Sequence, residues 1–340
     1  MTLIADLTGA RPLWSAPELK AWRRAAVQTL AEVDPTMAAP PGGDRMLREA
    51  LAHVVPAAAD RIMVTSGVRA SVGPLLRDCA EVVIERPTFA GVVHAIRRER
   101  VPVRAESWER MVRPQPAGTA LWFTAPCRNP DGRCADEAFL TAMTAAAESG
   151  HRVVGNTAYQ WFAPSPPLTT AVSWTGTLHK LAGRGARLGW VVADPADEDL
   201  LHGLALTAPP LLTQRTWGRF LAGGGADLLR QGHQELRAAV AAFFAALGPA
   251  GPGTDRQGPN FLIPVPVDDA EAVTRLAEAG VRVAPGSAFD AVEPSVRVTL
   301  THVPPEIAGA AGDLVARVLT AMSAGNSPGR RRRAGQDAAG

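Results

Sequence analysis

The sequence is short of several residue types, and each scarcity narrows what the protein can be. Cysteine occurs three times, as Cys79, Cys127 and Cys134. An odd, sparse count with no signal-like start argues against a disulfide framework and for a reducing cytoplasm. Cys127 and Cys134 lack a CxxC spacing and a nearby histidine, so no metal site is expected. No apolar run reaches about 18 residues without a charge, so no membrane span is expected. Neither sign of charge dominates: 35 basic residues against 33 acidic ones leave a net +2. That balance speaks against a nucleic-acid or strongly acidic partner. The one basic run, Arg330 to Arg333, lies in a tail of Gly, Ala and Ser (326–340) that is expected to be solvated and disordered.

Lysine is the most telling shortage. It supplies two of the basic residues, Lys20 and Lys180. Where positive charge alone suffices, this chain uses arginine, so a retained lysine points to a task arginine cannot do, such as forming an imine. Tyrosine occurs once, as Tyr159, and asparagine four times, at 129, 156, 260 and 326. Two of the asparagines, Asn129 and Asn156, fall in the blocks described below.

What is abundant is apolar surface. With 340 residues and 46% hydrophobic residues, the chain can build one large domain and a smaller one. Short apolar strands are expected at 61–65, 81–85, 101–105, 120–124, 153–155, 171–174 and 188–193. Helices are expected at 18–33, 44–54, 66–77, 89–98 and 136–148. This alternation indicates an α/β fold whose mostly parallel sheet is buried on both faces. Residues 196–247 read as mostly helical. A Gly/Pro-rich break at 248–258 marks a candidate boundary. Beyond it, strands at 261–267, 281–283 and 295–300 and helices at 268–279 and 304–323 make a small α+β domain. The expected division is a segment 1–45 joining the small domain, a large domain 46–247 and a small domain 248–325.

In open α/β sheets, ligands bind beyond the carboxyl ends of the strands. Several strands here end in polar or glycine-bearing turns. Thr65 runs into Ser66-Gly67-Val68 and a helix, whose first N–H groups suit a phosphate. Thr124 leads to Asn129-Pro130-Asp131-Gly132, a turn signature in which the Asn129 amide can donate to a ligand oxygen. Another strand ends at Asn156-Thr157-Ala158-Tyr159. A fourth leads to Thr177-Leu178-His179-Lys180, with Arg187 shortly after.

The order and spacing of these blocks, with Pro87-Thr88-Phe89 and the terminal Arg297-Val298-Thr299-Leu300, resemble the class I/II aminotransferases, the fold-type-I pyridoxal-phosphate (PLP) enzymes. The resemblance covers about residues 5–322. It implies a large domain with a mostly parallel sheet plus a small α+β domain, a homodimer, PLP as cofactor and a free amino acid as substrate. Lys180 would form the internal aldimine and move the proton at the α-carbon. Ser66, Gly67, Val68, Thr177 and Arg187 would bind the cofactor phosphate. Phe89 would stack on the ring, though a core phenylalanine opening a helix would look the same in sequence. Asn129 and Tyr159 would hydrogen-bond the phenolic oxygen, and Ala158 would pack beneath the ring. Arg297 would grip the substrate carboxylate. Trp14 and Trp161 would line the substrate pocket or belong to the core.

The sequence departs from the family in two places. Asn156 stands where the family carries an aspartate against the pyridine nitrogen, and a neutral amide cannot supply the charge that keeps that nitrogen protonated. The loop 37–43 has no tyrosine for the partner subunit's cofactor phosphate. These departures leave three readings: transamination, the family default; elimination, replacement or cyclisation in specialised metabolism; or a non-catalytic PLP-binding module. The regulators built on this fold carry an N-terminal helix-turn-helix, which is not expected here because the aminotransferase-like segment starts almost at the first residue.

Overall fold

The structure is a computed structural model and describes residues 3–9, 14–164, 168–231, 236–248 and 255–325. The tail 326–340, and with it the expected disorder, lies outside the described residues. The strands are β1 (Ala5–Asp6), β2 (Ile62–Thr65), β3 (Glu81–Glu85), β4 (Val103–Glu106), β5 (Thr119–Thr124), β6 (Arg152–Asn156), β7 (Ser173–Thr177), β8 (Gly189–Val192), β9 (Asn260–Pro264), β10 (Val281–Arg282), β11 (Ala284–Pro285) and β12 (Ser295–Thr299).

The chain divides into two compact units. The larger is Pro12–Arg128 with Arg133–His233; the smaller is Met1–Arg11, Asn129–Gly132 and Gln234–Gly340. The larger unit holds a seven-stranded sheet in the order β2-β8-β7-β6-β5-β3-β4. All pairings are parallel except those of β8, which runs against both β2 and β7. Strand β5 is buried along its whole length: it reads Thr-Ala-Leu-Trp-Phe-Thr without an exposed residue. A strand covered on both faces loses the in–out alternation of a half-exposed one. Leu121 and Phe123 in that strand each contribute about 1.5–3 kcal/mol on burial.

β8 is reversed, so its first residue lies at the sheet edge where its neighbours end. Gly189 pairs with both Thr65 and Thr177. A Cβ there would lie 2.4 Å from the Gly67 Cα and 2.6 Å from the Gly176 carbonyl, so only glycine fits. The turns that follow β2 and β7 are thereby pressed side by side. The same edge carries the carboxyl ends of β3, β4, β5 and β6.

The helix expected over 66–77 is broken into a 3-10 turn (Val68–Ala70) and one α-turn (Val72–Leu75). Gly67 at φ 110° starts it outside helical space, and Pro74, which has no N–H to give, keeps the ladder short. The Gly/Pro-rich break does not separate the units as expected. The helix Leu236–Leu247, which precedes that break, packs on Pro305–Gly325 within the smaller unit. At the other end, only Met1–Arg11 joins that unit, through β1 beside β10. Residues 14–45 belong with the larger unit because the helix Ala16–Glu32 packs on Leu211–Phe220, with Trp22 and Trp217 rings 6.1 Å apart.

The smaller unit holds the sheet β11-β12-β9. Its last helix is long and apolar enough over Pro305–Ala324 to cross a membrane, by length and composition alone. Ala308, Ala311, Val315 and Met322 of that helix are buried, the stripe of a core helix.

Candidate functional site

In the larger unit, the turn after β7 sets the site. Lys180 opens the helix His179–Ala182, and its Nζ lies 4.9 Å from the centre of the Tyr159 ring. Tyr159 is buried and stands in the turn that follows β6. Thr157 makes that turn by giving both its N–H (2.7 Å) and its hydroxyl (3.1 Å) to the Thr175 carbonyl. The lysine and the only tyrosine are thus brought together from turns after neighbouring strands. Ala158 is buried in the same turn.

Asn156 closes β6 and is buried. Its Oδ1 accepts the Ala158 N–H at 3.0 Å. With the oxygen on the backbone, the amide keeps two N–H donors.

The surroundings of Lys180 are strongly positive. His179 is held at about 4, mainly by burial and further by the charges of Lys180, Arg184 and Arg69. Such a set of cations favours a bound anion. Arg69 and Arg184 were not singled out in the sequence. The available signal was position: each lies a few residues beyond a recognised block.

The hydroxyls expected to serve a phosphate have internal partners. The Ser66 hydroxyl donates to the Thr207 carbonyl at 2.7 Å. The Thr177 hydroxyl donates to the Leu188 carbonyl at 3.0 Å and accepts the His179 N–H at 3.1 Å. The Gly67 N–H goes to Thr65 Oγ1 at 3.1 Å. Val68, which follows, is buried. Arg187 is exposed and holds left-handed backbone at φ 45°, ψ 38° between the 3-10 turn Arg184–Ala186 and β8. A non-glycine residue there costs about 1–2 kcal/mol.

Phe89 is 43% exposed, so the core reading of that residue is excluded. Trp14 is held by aromatic packing, stacked on Phe220 at 5.5 Å and edge-on to Trp217 at 5.9 Å, which is the core reading. Trp161 donates its indole N–H to the Thr177 carbonyl at 3.3 Å and braces the strand that leads to Lys180.

A further residue at this sheet edge was missed in the sequence. Glu85 ends β3 and is wholly buried. Its Oε2 accepts the Thr124 N–H at 3.0 Å and the Trp108 indole N–H at 2.9 Å. Burial pushes its carboxyl up to about 7, against the pull of Arg128 and of these hydrogen bonds. Nothing marks Glu85 in the sequence except a carboxylate closing an otherwise apolar strand.

In the smaller unit, Arg297 occupies the central strand, paired with Leu262 and Ala284; a strand-edge arginine is excluded. Its guanidinium lies 4.6 Å over the Phe289 ring. It donates to Asn129 Oδ1 at 3.4 Å and to the Thr8 carbonyl. Asn129 is buried, and with Oδ1 engaged its amide keeps two N–H donors.

The family profile "Aminotransferase class I and II" matches residues 11–314. Among curated proteins, none matches the chain. Among solved structures, an aspartate aminotransferase double mutant of Thermus thermophilus aligns with TM-score 0.77 at 22% identity over 94% of this chain and 92% of its own. LysN, an α-aminoadipate aminotransferase of Thermus thermophilus in complex with N-(5'-phosphopyridoxyl)-L-leucine, aligns with TM-score 0.79 at 19% identity over 95% and 93%. A multiple substrate aminotransferase of Thermococcus profundus aligns with TM-score 0.77 at 18% identity over 94% and 92%.

Proposed function

The chain belongs to the class I and II aminotransferases, which are PLP-dependent transferases, and from that premise we propose that it acts at the α-carbon of a free amino acid with Lys180 as the residue that carries the cofactor and moves the proton. The observation that carries the reading is Lys180 Nζ held 4.9 Å above the Tyr159 ring among the cations Arg69 and Arg184.

The donor set fits the cofactor. PLP, when bound, supplies an aldehyde that condenses with amines and a ring that withdraws electrons from the α-carbon. Its phosphate is a dianion, and Arg69, Arg184 and Arg187 bring the charge that offsets it. The Ser66 and Thr177 hydroxyls would serve it by turning from their carbonyl partners, and the backbone at Gly67 and Val68 would line it. Phe89 and Ala158 would pack on the cofactor ring. Tyr159 and Asn129 would donate to its phenolic oxygen. Asn156, with Oδ1 held by Ala158, would offer an N–H to the ring nitrogen and would supply no charge to keep it protonated. Lys180 would hold the cofactor through its amine, and the same amine would be the base that takes the α-proton. Arg297, pre-oriented by Asn129 and Thr8, takes the substrate carboxylate as a fork. The active form we propose is a homodimer, checked by sedimentation of the holoenzyme.

A second reading rests on Asn156. A neutral partner at the ring nitrogen weakens the electron sink, which suits elimination, replacement or cyclisation better than transamination. Spectral titration of the purified holoenzyme with single amino acids, followed by product masses, separates the two. A keto acid with an aminated cofactor supports transamination, and loss or exchange of a side-chain group supports the second reading. A protein that binds no PLP sinks both, and one whose bound PLP ignores every amino acid supports a non-catalytic module.

A further inference from the structure

Cys127 and Cys134 are seven positions apart and lack any motif spacing, yet the backbone sets them directly opposite each other as an antiparallel bridge. The hydrogen bonds on either side fix the type of pair. Arg128 N–H donates to the Arg133 carbonyl at 2.9 Å, and Ala135 N–H donates to the Pro126 carbonyl at 3.1 Å. Cys127 and Cys134 therefore form the non-hydrogen-bonded pair between them. In such a pair the Cα atoms lie about 4.5 Å apart and the side chains share one face. A disulfide needs Cα atoms about 4.4–6.8 Å apart.

A second observation confirms the shared face. Residues next to each other along a strand point to opposite sides. Arg128 and Arg133, the inner neighbours of the two cysteines, both lie over the Trp108 ring, at 4.6 and 4.9 Å. With both arginines on the Trp108 side, both thiols are on the other. Cys127 is buried and Cys134 partly exposed.

We propose that Cys127 and Cys134 are a reversible disulfide site that takes its oxidising equivalents from a peroxide. The Cys134 sulfur, the more accessible of the two, attacks a peroxide oxygen. The O–O bond breaks, one water leaves with the thiol proton, and a sulfenic acid remains. The Cys127 sulfur then attacks the Cys134 sulfur, the S–O bond breaks, and a second water leaves. Two thiols are oxidised by two electrons and one peroxide is reduced to two waters. The new bond closes a ring around Asn129-Pro130-Asp131-Gly132, the loop whose Asn129 accepts from Arg297. Oxidation thus tightens the loop that orients that arginine.

The test is peptide mapping of the full chain after hydrogen peroxide, with alkylation in denaturant. Trypsin cuts after Arg128 and Arg133 and puts the two cysteines on separate peptides. The expected result is one linked peptide pair that parts on reduction, with Cys79 alkylated throughout. Accessible thiols fall from three to one, and dithiothreitol restores all three. In Cys127→Ser, dimedone traps a sulfenic acid at Cys134. If that variant fails to fold, the wild-type map decides alone. Alkylation of both Cys127 and Cys134 after peroxide has oxidised methionines, or a bridge to Cys79, overturns the proposal.

Discussion

Asn156 Oδ1 accepts the Ala158 N–H at 3.0 Å, so one side chain both caps the turn after β6 and sets which of its atoms is left for a ligand. Asn156→Asp keeps this acceptor and adds a charge. An opposite charge within about 4–6 Å favours a protonated ring nitrogen. The expected outcome with PLP and a substrate amino acid is stronger long-wavelength absorbance and more transamination. The size is roughly 1.5–3 kcal/mol, or about ten- to hundredfold. An unchanged spectrum and product ratio would mean that residue 156 does not touch the ring.

Lys180→Ala removes the amine above Tyr159. The variant is expected to retain PLP non-covalently, to lose the visible band of the bound cofactor and to lose all turnover. A borohydride-reducible adduct in the variant would assign the covalent link to another residue, with Lys20 the only other lysine.

Arg297→Ala removes the fork held by Asn129 and Thr8. One lost charge-assisted contact costs about 1.5–3 kcal/mol, so KM for amino acids is expected to rise about ten- to hundredfold while PLP affinity holds. Equal KM values in both proteins would place the carboxylate elsewhere or show that the substrate has none.

Glu85 makes stability depend on pH. Its folded value, about 7, lies above the ordinary 4.5. Between those values the folded state holds a proton that the unfolded state has released, so stability falls as pH rises through this window and levels off above it. Glu85→Gln keeps an acceptor for Thr124 and Trp108 and cannot ionise. Urea unfolding at successive pH values should show the decline flattened, with a gain on the order of 3 kcal/mol at pH 8. Parallel curves for the two proteins would refute the assignment.

His179 works in the opposite sense. Its folded value, about 4, lies below the ordinary 6.5, so stability is gained as pH rises through that window. Inorganic phosphate bound among Arg69, Lys180 and Arg184 offsets their charge. The His179 ring signals in an NMR titration are expected to move to higher pKa when phosphate is added, and a midpoint indifferent to phosphate would show that the anion sits elsewhere.

Much of this was legible in the sequence. The strands are, because runs such as Glu81–Glu85 and Thr119–Thr124 are apolar throughout and bounded by turn residues. Lys180 and Tyr159 are, because they are so scarce. The 66–77 segment is not, because apolar spacing does not reveal where Gly67 and Pro74 interrupt the ladder. The unit boundary is not, because the helix Leu236–Leu247 is chosen by its packing partner Pro305–Gly325, which lies far along the chain. The facing of Cys127 and Cys134 depends on the register of a loop that composition cannot supply.

The antiparallel strand β8 also governs the order in which the chain can be completed. Among the described residues, β2 is flanked in the sheet by β8 alone, and Thr65 pairs with Gly189. During synthesis, β2 leaves the ribosome long before its neighbour exists. At about 5–20 residues per second, its unpaired edge stays open while β3 to β7 are made. The central sheet therefore closes last at the strand that was made first, and the aggregation hazard of the nascent chain is concentrated in Ile62–Thr65.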